Sequence, residues 1–292
     1  MTTAPTLDAR IGEKHVETHP RDKFIRSGRL PTIWCPGCGI GIVLEAYTRA
    51  IEKSAIPLDK HVAVSGIGCT GRFSGYLNLD SYHTTHGRAV AFATGMSVAK
   101  PDLEVTVIAG DGDLSTIGGN HLIHAARRNI DLNVIMVNNF NYGMTGGQHG
   151  ATTPLGAKTY TSPYGNAEEP FNVPYLVSAA GASFVARWTT MHVVQIYKAI
   201  RRMLEVEGFA FLEVISPCPP TFGEFNGFPE ALDTMKYFRE RAVVDDNADL
   251  RNISITMHPE DPVVVGNFVD RRRLSYQELL HQMEIRATGA KV

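Results

Sequence analysis

Hydrophobic and polar positions follow two patterns that alternate along the chain. Short continuous runs rich in Val and Ile, bounded by Gly, Asn or Pro, are typical of strands buried on both faces of a sheet. These runs are HVAVSGIG, EVTVIAG, NVIMVNN, SFVARW and FAFLEVI. Longer segments with helical spacing lie between them, namely GIVLEAYTRAIEKSA, GRAVAFATGMSVAK, IGGNHLIHAARRNI and HVVQIYKAIRRMLEVEG. The alternation predicts an α/β fold, a parallel sheet flanked by helices.

The pattern is weaker in two later regions. Residues 141–175 contain many Gly, Thr, Pro and Asn with little periodicity, which predicts a long ordered loop at an active site. Beyond about residue 222, only one strand (PVVVGNF) and one helix (SYQELLHQMEIR) are predicted. We therefore expect a main domain over residues 1–221, whose first part, residues 1–25, is an N-terminal arm. Residues 222–292 are expected to form a C-terminal extension packed on the domain or on a partner subunit.

Composition and charge narrow the class of protein. The chain has 292 residues, of which 43% are hydrophobic, so it can fill a large core. A net charge of -2 and the absence of a long basic run argue against a nucleic acid or membrane partner. The N-terminus lacks an apolar signal core, and no apolar stretch approaches the ~18 residues that span a bilayer. We expect a cytoplasmic protein, in which four cysteines are better explained as metal ligands or catalytic thiols than as disulfides.

Candidate ligands follow the predicted strands, at the edge of a parallel sheet where ligands bind. Asp111 and Asp113 stand in the glycine-rich turn AGDGDLSTIGG, whose small residues let backbone N–H groups approach a phosphate. Asn139 comes 28 residues after Asp111, at the end of the next predicted strand. The two side chains could share one Mg²⁺, which usually takes one or two protein oxygens together with phosphate and water. For Asp113, capping of the turn explains the residue as well as ligand binding does.

The four cysteines form an unusual set. Cys35 and Cys38 make a CxxC pair in WCPGCG, whereas Cys69 in GIGCTGR and Cys218 in SPCPP are isolated. Zinc sites tend to bring two paired knuckles, while four thiolates suit a [4Fe-4S] cluster. Prolines and apolar neighbours would keep water from such a cluster. A thioredoxin-type dithiol would leave two cysteines without a role, so an iron–sulfur cluster is favoured over zinc.

Taken together, these motifs resemble the β subunit of the 2-oxoacid:ferredoxin oxidoreductases. That family shows CPGCG, a GxGC turn, GDGD, NN followed by YGMTGGQ, and a late PC, and this chain matches in that order from about residue 30 to 225. The resemblance implies a thiamine diphosphate-binding fold with Mg²⁺ bound by Asp111, Asn139 and the carbonyl of Asn141. It implies that the [4Fe-4S] ligands are Cys35, Cys38, Cys69 and Cys218. The cofactor-binding residues that it implies are Gly110, Asp111, Gly112, Asp113, Asn139, Asn141, Tyr142, Gly143, Thr145, Gly146 and Cys69.

Three residues are candidates for contact with the substrate or the reacting part of the cofactor. Met144 resembles the family position beneath the thiazolium ring, and His86 lies in a stretch that the family places at the cofactor. Arg72, three residues beyond Cys69, could bind a substrate carboxylate through a bidentate contact. A structural ion pair is the alternative role for Arg72.

The resemblance also implies a reaction and its partners. The reaction is the coenzyme A-dependent oxidative decarboxylation of a 2-oxo acid, reversible as reductive carboxylation, with electrons passed through the cluster to ferredoxin. We expect 2-oxoglutarate as substrate; pyruvate and branched 2-oxo acids stay open. An α subunit should carry the aminopyrimidine-binding domain, giving an αβ heterodimer or its dimer. The rival functions are a non-oxidative thiamine-dependent decarboxylase and a non-catalytic metal-bearing scaffold.

Overall fold

A single mixed sheet organises the residues that the computed structural model describes, 21–258 and 260–289. Its strands are β1 (His61–Ser65), β2 (Asp80–His83), β3 (Glu104–Gly110), β4 (Leu132–Asn138), β5 (Phe184–Thr189), β6 (Phe209–Ile215), β7 (Ala242–Val244) and β8 (Val263–Asp270). They are ordered β2-β1-β3-β4-β6-β5-β8-β7. All neighbouring pairs are parallel except β5 and β8, which are antiparallel. The predicted α/β fold with a parallel sheet is confirmed.

Helices cover both faces of the sheet. They are α1 (Ile40–Glu52), α2 (Phe73–Tyr76), α3 (Ala89–Ala99), α4 (Gly119–Arg128), α5 (Val173–Ala180), α6 (Val193–Met203), α7 (Ala231–Arg241) and α8 (Tyr276–Thr288). One buried apolar cluster unites the sheet with α1 and α6, and a second unites it with α3, α4 and α5. Because both faces are covered, β1, β4, β5 and β6 are buried along their whole length. This explains why their sequences are continuous apolar runs. In the described part of the chain, no helix has the length and apolar character needed to cross a membrane.

The region after residue 222 contains more structure than its sequence pattern predicts. The predicted strand is β8 and the predicted helix is α8, but α7 and β7 are present as well, so the prediction of one strand and one helix was wrong. Strand β8 pairs with β5 in the main sheet. Helix α8 is held near the amino ends of the strands, where Gln277 Oε1 accepts from Asp131 N at 3.0 Å. Of the predicted N-terminal arm, residues 1–20 lie outside the described residues.

The long loop after β4 ends slightly earlier than predicted. It contains a 3₁₀ turn, Gly143–Thr145, and otherwise runs without a helix or a named strand as far as Asn172. There α5 begins, because Asn172 Oδ1 accepts from Tyr175 N at 3.3 Å and Pro174 occupies the first turn. The last three residues of the predicted loop are therefore helical.

A buried ion pair lies within the sheet. Arg187 on β5 donates from Nε to Glu213 Oε2 on β6 at 2.5 Å, and both side chains are almost fully buried. Arg187 Nη1 also donates to the carbonyl of Ile253 at 2.5 Å. Glu213 Oε1 accepts from Asn138 Nδ2 at 2.8 Å, and Asn138 Oδ1 accepts from Phe140 N at 3.1 Å. The pair thus supports the start of the loop that follows β4.

Two partly buried acidic side chains lie at the amino ends of the strands. Glu104 accepts a hydrogen bond from Asn133 Nδ2, and Asp131 Oδ1 accepts from Gly208 N at 2.9 Å. Burial, aided by the charge of Asp131, raises the pKa of Glu104 to about 8. Glu104 is therefore protonated in most molecules at neutral pH.

Candidate cofactor site

The predicted motifs meet at the carboxyl ends of β1, β3, β4 and β6. A cavity of about 80 Å³ opens there, and Ile67, Gly68 and Thr70 of the turn after β1 contribute to its wall, although none of them was predicted. The predicted residues that line it are Cys69, His86, Gly110, Asp111, Gly112, Asp113, Asn139, Asn141, Tyr142, Gly143, Met144 and Thr145.

Three oxygen atoms converge beside this cavity. The side-chain oxygen of Asn139 lies 2.9 Å from the carbonyl oxygen of Asn141 and 3.1 Å from Asp111 Oδ1. Oxygens that neighbour each other around an octahedral Mg²⁺, at metal distances of 2.0–2.1 Å, lie about 3 Å apart. Two explanations fit the spacing: a cation among three oxygens, or an amide turned over so that Asn139 Nδ2 donates to both partners. The donor set is therefore suited to Mg²⁺.

The carboxylate of Asp111 is fully enclosed. Thr152 Oγ1 donates to Asp111 Oδ2 at 2.5 Å, from a position far along the loop after β4. Burial raises the pKa of Asp111 to about 6, and the bond from Thr152 opposes this rise. A bound cation would favour the ionised form of the same carboxylate.

Asp113 joins three loops around the cavity. Its Oδ1 accepts from Gly87 N at 2.7 Å and from Ile67 N at 3.3 Å, and it is hydrogen-bonded to His86 Nδ1. Its Oδ2 is buried and has no partner within the described residues. With the proton on Nδ1, His86 donates to Asp113 and keeps Nε2 as its free ring nitrogen. Asp113 thus fixes the loop geometry and orients His86.

The YGMTGG segment forms the wall opposite the GDGD turn. The ring of Tyr142 packs on Gly112, where an added Cβ would lie 2.4 Å from Tyr142 Cε1. Met144 lines the cavity and is 44% exposed, so it stands at the mouth. Gly146 ends the 3₁₀ turn with a φ of 114°, a conformation that favours glycine.

All four cysteines line a second cavity of about 250 Å³. Its wall also contains Ile33, Trp34, Pro219 and Pro220, which give it apolar surroundings. Four residues line both cavities, so the two share a wall; they are Cys69, Asn139, Gly143 and Met144.

The four cysteines lie around a cavity and do not converge on a single position. Within residues 21–258 and 260–289, no three His, Cys, Asp or Glu side chains converge closely enough for a single metal ion. Burial raises the pKa of Cys38 to about 12 and that of Cys69 to about 11, and the neighbouring cysteines add to both shifts. Four thiolates would therefore need a positively charged group between them.

Comparisons with known proteins agree with this geometry. Residues 66–214 match the family described as thiamine pyrophosphate enzyme, C-terminal TPP binding domain. The 2-oxoglutarate synthase subunit KorB of Methanocaldococcus jannaschii is 47% identical over 266 residues, 91% of this chain and 97% of that protein. The KorB of Archaeoglobus fulgidus is 51% identical over 233 residues, 80% of this chain and 85% of that protein. This chain belongs to the KorB family.

A solved structure extends the comparison to the fold of the KorB family. The 2-oxoglutarate:ferredoxin oxidoreductase from Magnetococcus marinus, with 2-oxoglutarate, coenzyme A and succinyl-CoA bound, matches with a TM-score of 0.81 and 32% identity. The match covers 94% of this chain and 93% of that chain. The predicted resemblance to β subunits of 2-oxoacid:ferredoxin oxidoreductases is confirmed.

Two predicted residues of this KorB family member lie outside the cavity walls. Arg72 ends the 3₁₀ turn that follows Cys69, and its side chain is exposed. Gly146 is adjacent to the lining residue Thr145 but does not line the cavity itself. Both roles stay predictions. The sequence analysis missed Thr152 because nothing in its local sequence marks it.

Proposed function

We propose that this chain is the catalytic β subunit of a 2-oxoglutarate:ferredoxin oxidoreductase. The reaction converts 2-oxoglutarate, coenzyme A and two oxidised ferredoxins into succinyl-CoA, carbon dioxide, two reduced ferredoxins and a proton, which comes from the coenzyme A thiol. The observation that carries the proposal is the wall shared by the oxygen-lined cavity and the four-cysteine cavity. Such a wall would place an organic cofactor directly beside an electron acceptor.

The oxygen-lined cavity is proposed to bind thiamine diphosphate with Mg²⁺. Asp111 Oδ1, Asn139 Oδ1 and the carbonyl of Asn141 would hold the ion, which their spacing fits. The residues proposed to contact the diphosphate are Gly110, Gly112, Tyr142, Gly143, Thr145 and Gly146. Gly146 is included only because of its position in the sequence motif. The cofactor supplies an electron sink for the 2-oxo acid carbon.

The four-cysteine cavity is proposed to hold the [4Fe-4S] cluster. Its four sulfurs and its apolar wall suit a polynuclear cluster. Cys35 is exposed, whereas the other three cysteines are partly buried. We infer that electrons leave towards ferredoxin on the Cys35 side.

The remaining predicted residues act around the substrate. Met144 would support the cofactor ring at the cavity mouth, and His86, held by Asp113, would present Nε2 to the cofactor or the substrate. Arg72 is proposed to bind a substrate carboxylate, although its exposed position requires that the partner subunit or the substrate reach it. Binding of the second carboxylate by Arg72 would favour a dicarboxylic substrate.

A partner subunit would complete the site. The loop after β4 exposes large apolar side chains: Met144, at the cavity mouth, is 44% exposed, Tyr160 71% and Tyr164 99%. Exposed aromatic residues of this kind are typical of interfaces. We infer that an α subunit carrying the aminopyrimidine-binding domain covers this loop in an αβ or (αβ)₂ assembly.

The test is anaerobic purification of the chain with its α partner, followed by analysis of iron, zinc and thiamine diphosphate. We expect about four irons per β chain and ferredoxin reduction that requires both 2-oxoglutarate and coenzyme A. Pyruvate and a branched 2-oxo acid, supplied in turn, test the choice of substrate.

Other outcomes would separate the rival functions. Zinc in place of iron, with carbon dioxide released but no ferredoxin reduced, would indicate a non-oxidative decarboxylase. Absence of thiamine diphosphate from the complex would indicate a scaffold subunit. If ferredoxin is reduced with pyruvate but not with 2-oxoglutarate, pyruvate takes the place of 2-oxoglutarate as the proposed substrate. The proposed reaction type then stays the same.

A further inference from the structure

A threonine hydroxyl lies against one of the four cysteines. Thr221 is in the π-helical turn Pro219–Gly223, directly after Cys218 and its two prolines. Its Oγ1 lies 2.9 Å from Cys218 Sγ and 3.1 Å from Asn141 Oδ1. The role of Thr221 is not explained by the binding functions proposed above.

The surrounding backbone fixes the direction of this hydroxyl. A Cβ added at Gly147 would lie 2.8 Å from Thr221 Cβ and 3.2 Å from its methyl carbon. A Cβ added at Gly143 would lie 3.1 Å from Cys218 Sγ and 3.7 Å from Thr221 Oγ1. The methyl group therefore lies against Gly147, and the hydroxyl lies beside the Cys218 sulfur. Glycine at both positions leaves room for this contact.

The hydroxyl of Thr221 has one proton and two possible acceptors. Asn141 Nδ2 donates to the carbonyl of Asn139 at 3.1 Å, which keeps Asn141 Oδ1 turned towards Thr221. An amide oxygen is a neutral acceptor, whereas a cysteine that binds a metal cluster is an anionic thiolate. Hydrogen bonds to charged acceptors are roughly twice as strong as those between neutral groups. The proton of Thr221 should therefore point to Cys218 Sγ when the cluster is bound.

We propose that Thr221 donates a hydrogen bond to the Cys218 thiolate and thereby raises the reduction potential of the cluster. The inference rests on the proposed function, since it requires the [4Fe-4S] cluster. A reduced cluster carries one more negative charge than an oxidised one, so a donor at a ligand sulfur stabilises the reduced form more. Thr221 is a positioning residue here, because it acts through Cys218.

The test compares the αβ holoenzyme with Thr221→Ala and Thr221→Ser variants. Redox titration monitored by electron paramagnetic resonance gives the midpoint potential of the cluster, and iron analysis gives its occupancy. In Thr221→Ala we expect about a tenfold lower ratio of reduced to oxidised cluster at a fixed potential, equal to about 59 mV for one electron. Thr221→Ser keeps the hydroxyl and should keep the midpoint near that of the wild type. Thr159→Ala is the control, because it removes a buried hydroxyl that bonds to Ser162 N and not to a cysteine.

The outcomes distinguish this inference from the function on which it rests. A fully loaded Thr221→Ala cluster with the wild-type midpoint would overturn the role of Thr221 while leaving the enzyme's function intact. A wild-type complex without iron would overturn both. If Thr221→Ala does not load the cluster, Thr221→Val, which preserves the side-chain volume, takes its place in the same titration with the same expected shift.

Discussion

The two ends of the parallel strands hold acidic groups in opposite ways. At the amino ends, Glu104 and Asp131 accept hydrogen bonds from protein N–H groups, and burial leaves Glu104 protonated near neutral pH. At the carboxyl ends, the oxygens of Asp111 and Asn139 face each other, and Asp113 Oδ2 has no partner within the described residues. One end is completed by the protein itself. The other is arranged so that a ligand from outside completes it.

Between these ends lies a third arrangement. Arg187 and Glu213 are buried in the middle of the sheet, and each supplies the charge that the other needs. Burial alone therefore does not identify a functional carboxylate. What distinguishes Asp111 from Glu104 and Glu213 is that its Oδ1 faces the side-chain oxygen of Asn139, although its Oδ2 accepts a hydrogen bond from Thr152.

Replacement of Asp111 by Asn should have the largest effect. The loss of a ligand charge should weaken Mg²⁺-dependent binding of thiamine diphosphate by more than the ~10–100-fold typical of changes around a ligand. Calorimetric titration of the αβ complex with thiamine diphosphate and Mg²⁺ measures this. Asp131→Asn is the matched control at the other end of the sheet, and it should leave the affinity unchanged. Equal losses in both variants would remove the distinction between the two ends.

Replacement of Arg187 by Met should reduce stability rather than cofactor affinity. It leaves Glu213 charged and unpaired in the sheet, at an expected cost of about 3–5 kcal/mol in the free energy of unfolding. Arg202→Met is the control, since the Arg202–Asp270 pair is largely exposed and should contribute about 1 kcal/mol or less. Urea unfolding of both variants measures the difference. Similar values for the two would argue against a structural role for the buried pair.

Replacement of Thr152 by Ala should have an intermediate effect at the carboxyl ends. It removes the hydrogen bond to Asp111 Oδ2, and we expect about tenfold weaker cofactor binding in the presence of Mg²⁺. Thr152→Ser keeps the hydroxyl and should restore most of the affinity in the same titration. If the serine variant binds as weakly as the alanine variant, packing of the methyl group and not the hydrogen bond is responsible.

Replacement of Glu104 by Gln should have the smallest effect, visible in its pH dependence. Because the pKa of Glu104 is raised from 4.5 to about 8 in the folded chain, its contribution to stability is full below about pH 4.5 and is lost as the pH rises to about 8. Glutamine does not titrate, so between these pH values the stability of the variant should fall by up to about 1.4 kcal/mol less per pH unit than that of the wild type. Thermal unfolding from pH 5 to 9 measures the slopes. Parallel curves would show that Glu104 is already ionised, and Glu169→Gln, at an exposed position, is the control.

The sequence predicted the ligand-bearing turns because they follow strands that are neighbours in the sheet. The GDGD turn follows β3 and the NN segment follows β4. These strands are adjacent and parallel, so the two segments lie side by side at the same edge of the sheet. The number and spacing of the cysteines predicted a shared iron–sulfur site, and the family resemblance added the roles of the YGMTGG segment. Periodicity alone could place the strands but could not show that the cysteines meet.

Other features were beyond sequence reasoning for physical reasons. Strand β2 is a short edge strand with mostly exposed side chains, so it lacks the apolar run of a buried strand. Helix α7 has a mixed pattern because only part of it packs on the core. Thr152 and Thr221 reach their partners across folded loops, and neither stands in a recognisable motif. Arg72 was placed by its distance from Cys69 along the chain, which does not determine where its side chain points.

Asn141 lines the first cavity and also contacts Cys218 of the second, and this has a thermodynamic consequence. Its carbonyl faces the proposed Mg²⁺ ligands, while its side chain faces Thr221 and Cys218. Mg²⁺–thiamine diphosphate in the first cavity and the cluster in the second would each hold Asn141 in the same conformation. Cooperativity between two ligands is reciprocal, so cluster loading should tighten Mg²⁺–thiamine diphosphate binding by the same factor as the cofactor tightens cluster retention.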